Sequence, residues 1–267
     1  MKVDVVLLTK NSLQPCLKEC VESIYRNVPV NRLIVVDGGS SDGTLELLQK
    51  YVGVEFIQDV NGTRATARQK GIEAVRTEWH MHVDSDVVLS DGWFRNAWML
   101  VDDKVGAVWG AAIPADEHFF NIDYAMSKLY RKSIKELLVK QMRSQRCMMH
   151  DTLIRTAAVK GIKIPRNLHI WEDEYIGRYI MKKGFRFLKV VAPYCLHYLT
   201  PNERFSGFIT TGYLMRKYKL WRSSQFVRRL LMALPKAVWI FVVTHDFQAS
   251  RIHLLSHVLL FKGWLSN

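Results

Sequence analysis

Short apolar runs alternating with segments of helical spacing constrain this chain more than any other feature. Val3–Leu8, Leu33–Val36, Val54–Ile57 and Trp79–Val83 read as strands. Leu13–Tyr25, Thr44–Tyr51 and Thr63–Val75 between them carry apolar residues three and four apart and read as helices. Strands that are apolar on both faces and alternate with helices predict a mostly parallel sheet covered by helices on both sides, an α/β fold. At 267 residues, 49% of them hydrophobic, the chain can fill such a core.

Open α/β sheets bind ligands beyond the carboxyl ends of their strands. Here those ends are polar. The first strand delivers Thr9-Lys10-Asn11, the second Asp37-Gly38, the third Asp59 and Asn61-Gly62, and the fourth Asp84-Ser85-Asp86. Each fits an ordinary turn, because Asp, Asn and Gly satisfy turn backbones locally. Four at one edge point to a site. Asp84 and Asp86 flank one residue at the end of a buried strand, where hard carboxylate oxygens suit Mg²⁺ or Mn²⁺ and the cation would bridge diphosphate oxygens. His80 and His82 share the parity of Asp84 and are read as packing or hydrogen-bonding residues, since imidazole suits magnesium poorly.

Farther along, the spacing predicts a helix over Ser90–Val101, a strand over Val105–Ala111, a polar loop at Pro114–His118 and a helix over Asp123–Arg143. A short helix at Thr152–Val159, a helix over Glu172–Lys183 stopped by Gly184, and a strand over Phe185–Val191 follow. No internal repeat or low-complexity linker interrupts residues 1–200, which are read as one domain, with 201–267 as a separate tail. The four cysteines suggest no disulfide framework, and Cys16 and Cys20, one helical turn apart, are read as packing. The N-terminal apolar run is broken by Asp4 and is too short for a signal sequence, so the catalytic part is expected in the cytosol.

Four blocks together resemble the nucleotide-sugar-dependent glycosyltransferases of family 2, with the GT-A fold. They are Val5–Asn11, Val35–Thr44, Ala67-Arg68-Gln69-Lys70-Gly71 and His82–Asp86, and the second is the most specific. The resemblance covers about residues 1–200. It implies that Thr9, Asn11, Asp37, Gly38, Arg68, Asp84 and Ser85 form the nucleotide side, with Asp37 on the base and Arg68 near the phosphates. It also implies that Asp86 ligates the metal, that Asp84 is shared between ribose and metal, and that His197 is a further ligand. Thr9-Lys10-Asn11 departs from the family's usual Pro-x-Tyr-Asn. Trp171-Glu172-Asp173-Glu174 looks like the family's acidic segment. Asp173 is then the base that deprotonates an acceptor hydroxyl, Glu172 its orienting partner, and Trp171 a stacking surface for acceptor sugar. Without the earlier blocks, three acids opening a helix would be read as complementing its dipole.

The net charge of +13 is concentrated in the tail. From Arg204 to Asn267 there are ten Lys or Arg against the single acid Asp246. Leu230–Val243 is apolar but interrupted by Pro235 and Lys236, and is shorter than the roughly 20 residues a spanning helix needs. With Tyr213, Arg216, Lys217, Tyr218, Lys219, Trp221, Arg222, Arg228 and Arg229, it is read as amphipathic helices lying on an anionic membrane surface, peripherally and on the cytoplasmic face. A helical cover or oligomer contact is the competing reading. His253 and His257 are read as interfacial packing. Nucleic acid is not an expected partner, because the basic residues accompany Leu, Ile, Val and Trp rather than a recognition module.

The expected activity is inverting, metal-dependent transfer from a UDP- or GDP-linked sugar to a hydroxyl of a glycan or lipid-linked acceptor. Three alternatives stay open: a polyprenyl-phosphate acceptor of the dolichyl-phosphate-mannose type, a non-catalytic binding protein on the same fold, and a nucleotidyltransferase. The last would need a glycine- and arginine-rich loop at the first strand end, which the sequence lacks there.

Overall fold

A computed structural model describes residues 1–168, 170–198, 201–217 and 221–266. Tyr218 and Lys219 of the basic tail lie outside the described residues. The first half alternates as the apolar runs predict: β1 (Val3–Thr9), α1 (Leu17–Asn27), β2 (Val30–Asp37), α2 (Thr44–Leu48), β3 (Val54–Gln58), α3 (Arg64–Ala74) and β4 (Trp79–Asp84). The second half adds β5 (Val87–Leu89), α4 (Trp93–Trp98), β6 (Val105–Pro114), α5 (Glu117–Leu129), α6 (Ile134–Ser144), β7 (Asp151–Arg155), α7 (Thr156–Val159), α8 (Glu172–Lys182) and β8 (Arg186–His197). Three helices complete the described chain: α9 (Pro201–Lys217), α10 (Ser223–Thr244) and α11 (Phe247–Leu265).

The eight strands form one sheet in the order β3-β2-β1-β4-β7-β6-β8-β5. The first four pair in parallel, whereas β7 pairs antiparallel with both β4 and β6, and β5 antiparallel with β8. The sheet is therefore mixed, with the predicted parallel layer as one half. Thr9 lies beside Asp37, Leu8 beside Asp84, and Asp37 beside Gln58. This register brings the polar ends of adjacent strands to a single edge.

Alternate residues of the parallel strands pack on opposite faces. Val3, Val5 and Leu7 join Leu17, Cys20, Val21 and Ile24 of α1, while Val6, Ile34 and Val36 join Ala67 of α3. Gly71 sits where a Cβ would come within 2.4 Å of Val6, so α3 lies directly on β1. That close approach carries Arg68 to the end of β4.

Two expectations need correction. Thr152–Val159 is not one helix: residues 151–155 are β7, fully inside the sheet, and only 156–159 turn helically. Pairing on both edges overrides the local pattern there. The span Asp123–Arg143 is two helices, α5 and α6, parted by a turn in which Arg131 has φ 51°.

The chain forms two compact units, Met1–Ile113 with Leu138–His197, and Pro114–Leu137 with Tyr198–Asn267. Residues 114–137, placed with the catalytic part from sequence, group with the tail because Ala125, Met126 and Leu137 share a core with Ile240 and Ala249. Trp239 Nε1 donates to the Ala125 carbonyl at 2.9 Å in the same unit. Among the described residues no helix is long and apolar enough to cross a membrane.

Candidate active site

The loops after β1 and β2 are laced together by Asp37. Its Oδ1 accepts from Thr9 Oγ1 at 2.9 Å and from Ser40 Oγ at 2.5 Å, and its Oδ2 accepts from the Gly39 and Ser40 amides at 2.8 Å. Burial alone would raise the Asp37 pKa, but these bonds, Ser40 foremost, hold it below the usual carboxylate range. Asp37, expected on the base, also bonds the two loops together. Asn11 reinforces them from a left-handed backbone, φ 50°. Its amide donates to Ser40 Oγ at 2.8 Å and its Oδ1 accepts from the Ser41 amide at 2.9 Å. The Gly38 amide donates to the Thr9 carbonyl at 2.8 Å, and Ser85 Oγ donates to Ser12 Oγ at 3.0 Å. Thr9, Asn11, Asp37, Gly38 and Ser85 are all at this edge.

Arg68, only 3% exposed, reaches the end of β4 from α3. It donates to Asp84 Oδ1 at 2.5 Å and contacts His82 Nδ1 at 3.1 Å. A guanidinium can only donate, so His82 Nδ1 accepts and the ring is neutral. Burial pushes its pKa well down, and the neighbouring Arg68 charge adds to this. Asp84 is held below the ordinary range: burial opposes ionisation but Arg68 outweighs it. His80 Nδ1 contacts Thr156 Oγ1 at 2.9 Å, so both strand histidines serve packing and hydrogen bonding.

Asp86 Oδ2 lies 3.2 Å from His197 Nε2, while Asp86 Oδ1 is buried without a hydrogen-bond partner. Asp86 and His197 therefore converge across the loop from β4 and the end of β8, and Asp84 is turned to Arg68. The orphaned carboxylate oxygen and adjacent imidazole suit a divalent cation, but Asp84, held by Arg68, does not gather with them into a three-ligand set among the described residues.

A second group sits behind this edge and was not anticipated. His150, Asp151 and Cys195 are buried, with ligand-type atoms within 4.8 Å of one another. Trp109 Nε1 donates to His150 Nε2 at 3.2 Å, and His150 Nδ1 lies 2.7 Å from Asp151 Oδ1, an ion-pair distance. Trp93 Nε1 donates to Asp151 Oδ2 at 2.9 Å. Burial opposes charge on His150, but the neighbouring Asp151 carboxylate outweighs it and raises the imidazole pKa. Its ring packs against His197 with centroids 5.3 Å apart, supporting the imidazole that faces Asp86.

The acidic segment opens α8. Glu172 and Asp173 are 4% and 5% exposed, and Trp171 packs beside them at 9%. Burial drives the Asp173 pKa up to about 7; Arg146 opposes the rise and Glu172 adds to it. Glu172 is raised too, by burial first, against the arginines that favour its charge. Arg146 donates to Asp173 Oδ1 and to the Ile170 carbonyl, and lies 4.9 Å over the Trp171 ring. Sequence reading missed Arg146, which falls between α6 and β7 where no periodicity or motif marks it.

Arg68 joins the two carboxylate groups. Burial opposes its charge, yet Asp84, Glu172 and Asp173 together keep the guanidinium firmly protonated. Of the eight buried side-chain polar atoms without a hydrogen-bond partner among the described residues, five belong to Arg68, His82, Asp86, Trp171 and Glu172. Unpaired buried polar atoms are costly and concentrate where a polar ligand completes them. Packing of α3 against α8 brings the Arg68–Asp84 pair near Glu172 and Asp173, close enough for their charges to support that of Arg68.

Comparison with known proteins gives this geometry a context. The profile of glycosyl transferase family 2 matches residues 4–162. A 95-residue stretch is 26% identical to the uncharacterized glycosyltransferase EpsJ of Bacillus subtilis (strain 168), covering 34% of this chain and 28% of EpsJ. Among solved structures, the mannosyltransferase PcManGT from Pyrobaculum calidifontis, in complex with GDP-Man and Mn²⁺, is similar over 98% of this chain and 85% of its own, with TM-score 0.65 and 14% identity. S. aureus TarS 1-349 in complex with UDP is similar over 99% and 89%, with TM-score 0.56 and 16% identity. A longer TarS chain is matched over only 38% of its length. These likenesses show the GT-A fold.

Proposed function

This chain belongs to glycosyl transferase family 2 and is a glycosyltransferase, and we propose that it moves a sugar from a UDP- or GDP-linked donor to a hydroxyl of a glycan or lipid-linked acceptor, inverting the anomeric centre. The observation that carries this reading is Arg68, buried and bonded to Asp84 on a helix that packs against α8, where Glu172 and Asp173 support its charge. The solved relatives with GDP-Man and Mn²⁺ or with UDP support a nucleotide donor and a divalent cation.

The loops held by Thr9, Asn11, Asp37 and Gly38 present the nucleotide side, with Ser85 at its inner edge. Arg68, already charged, faces the diphosphate. Asp86 and His197 would hold Mg²⁺ or Mn²⁺, which when bound neutralises charge on the departing diphosphate. On the other side Trp171 offers an aromatic face to acceptor sugar. Asp173, with a pKa near neutrality, takes the hydroxyl proton as the oxygen attacks the anomeric carbon. Glu172 and Arg146 set how readily it does so. Direct displacement by that oxygen inverts the centre.

One observation favours a second reading, a polyprenyl-phosphate acceptor: Arg146, bonded to Asp173, would also meet an anionic acceptor. A phosphate is already ionised and needs no base.

A panel of nucleotide sugars with Mg²⁺ or Mn²⁺ and a membrane lipid extract tests the proposal. Metal-dependent release of nucleoside diphosphate is expected, with Asp86→Ala losing both turnover and its metal dependence. Pyrophosphate as the product would instead mark nucleotidyl transfer and overturn the reading.

A further inference from the structure

Helix α10 exposes a continuous apolar face. Val227, Leu231, Leu234, Val238, Phe241 and Val242 are each between 44% and 70% exposed. Their spacing of four, three, four, three and one residues keeps them on one side of the helix. The opposite side, through Phe226, Ala233, Ala237 and Ile240, is buried. At 1.5 Å per residue the stripe is about 22 Å long. It carries no charged side chain, and Arg228 stands exposed just outside it with Arg222 at the helix start.

Uncovered apolar stripes of this length mark a docking surface. We infer that this face of α10 is a lipid-contacting surface that seats the protein, peripherally, on an anionic bilayer. Three properties select that occupant. The stripe's six side chains, 44–70% exposed, present on the order of 500 Å² of apolar surface, below the roughly 800 Å² per partner of a stable protein interface. The unit that carries it, Pro114–Leu137 with Tyr198–Asn267, holds fourteen Lys and Arg against six Asp and Glu, a net +8. A second copy brings the same charge and is repelled, whereas an anionic headgroup layer is attracted. A helix that cannot span but is apolar along one side lies in the plane of the interface.

The test is sedimentation of the full chain with vesicles of phosphatidylcholine alone and of phosphatidylcholine with phosphatidylglycerol, at low and high salt. Binding to the anionic vesicles is expected, weakening as salt rises. Leu231→Glu/Leu234→Glu should lower the partition coefficient at least about tenfold, since it replaces apolar contact by two charges of the wrong sign. Val52→Glu, at an 88% exposed apolar residue of the other unit, should bind as the parent does. Thermal melting and nucleotide titration of each variant check that folding and the donor site are intact. Failure of the parent to bind either vesicle, or unchanged binding by the double variant, overturns the inference. So does a parent that is dimeric in light scattering and becomes monomeric in the double variant.

Discussion

At the residue scale the account turns on carboxylates that sit in different environments and therefore do different work. Asp37 and Asp84 are surrounded by donors that keep them ionised, whereas Asp173 is buried beside another acid and is driven up to about 7. A base must be unprotonated, so transfer should rise with pH through about 7 in kcat/KM. Arg146 favours the ionised form of Asp173, and Arg146→Met should move that limb to higher pH. Glu172→Gln removes a neighbouring negative charge and should move it lower. A pH profile of the three proteins checks both directions. The same shift bears on stability: an acid with its pKa raised in the folded state stabilises fully below the unfolded carboxylate range, and loses that contribution as pH rises through 7. Most of the candidate residues named from sequence stand at strand ends or at the start of α8, because strand-end positions and short motifs are local properties of the chain. Arg146, His150 and Asp151 escaped notice because their roles come from partners distant in sequence: Asp173, Trp109 and Trp93.

At the element scale, the parallel half was legible, as were β6 and β8 of the antiparallel half, whereas β5 and β7 were not. β1 to β4 are apolar runs with helices between them, so each strand announced itself and its neighbours. β5 is three residues long, below what periodicity can register. β7 reads as a helix start because Leu153 and Ile154 are followed by Ala157 and Ala158, and only pairing with β4 and β6 makes residues 151–155 extended. The same limit applies to the helical unit. Sequence pattern marked α10 as amphipathic but did not show that α9 and α11 cross backbone to backbone. A Cβ at Gly212 would meet the Leu260 carbonyl oxygen at 2.0 Å, and one at Gly263 the Ile209 carbonyl oxygen at 1.9 Å. Backbone cannot yield as a flexible side chain does. Gly263→Ala should therefore cost about 1–3 kcal/mol in denaturant unfolding, although alanine favours an isolated helix. An unchanged midpoint would show that the two helices are not held that closely.

At the scale of the whole molecule, the mixed sheet and α8 carry the proposed donor side and the proposed acceptor side, whose acids Asp86 and Asp173 are distant in the chain. The parallel strands supply Asp37, Asp84 and Asp86, and α8, far along the chain, supplies Glu172 and Asp173. The buried Arg68 on α3 is common to both. Division of labour between the sides is the central claim, and one protein tests it most directly. Asp173→Asn keeps the shape and removes the proposed base. The measurement is donor binding by calorimetry and sugar transfer by nucleoside-diphosphate release, made on the same preparation with divalent cation present. The account predicts donor affinity within about twofold of the parent and transfer lowered by about 10²–10⁴. Undiminished transfer by Asp173→Asn would contradict it.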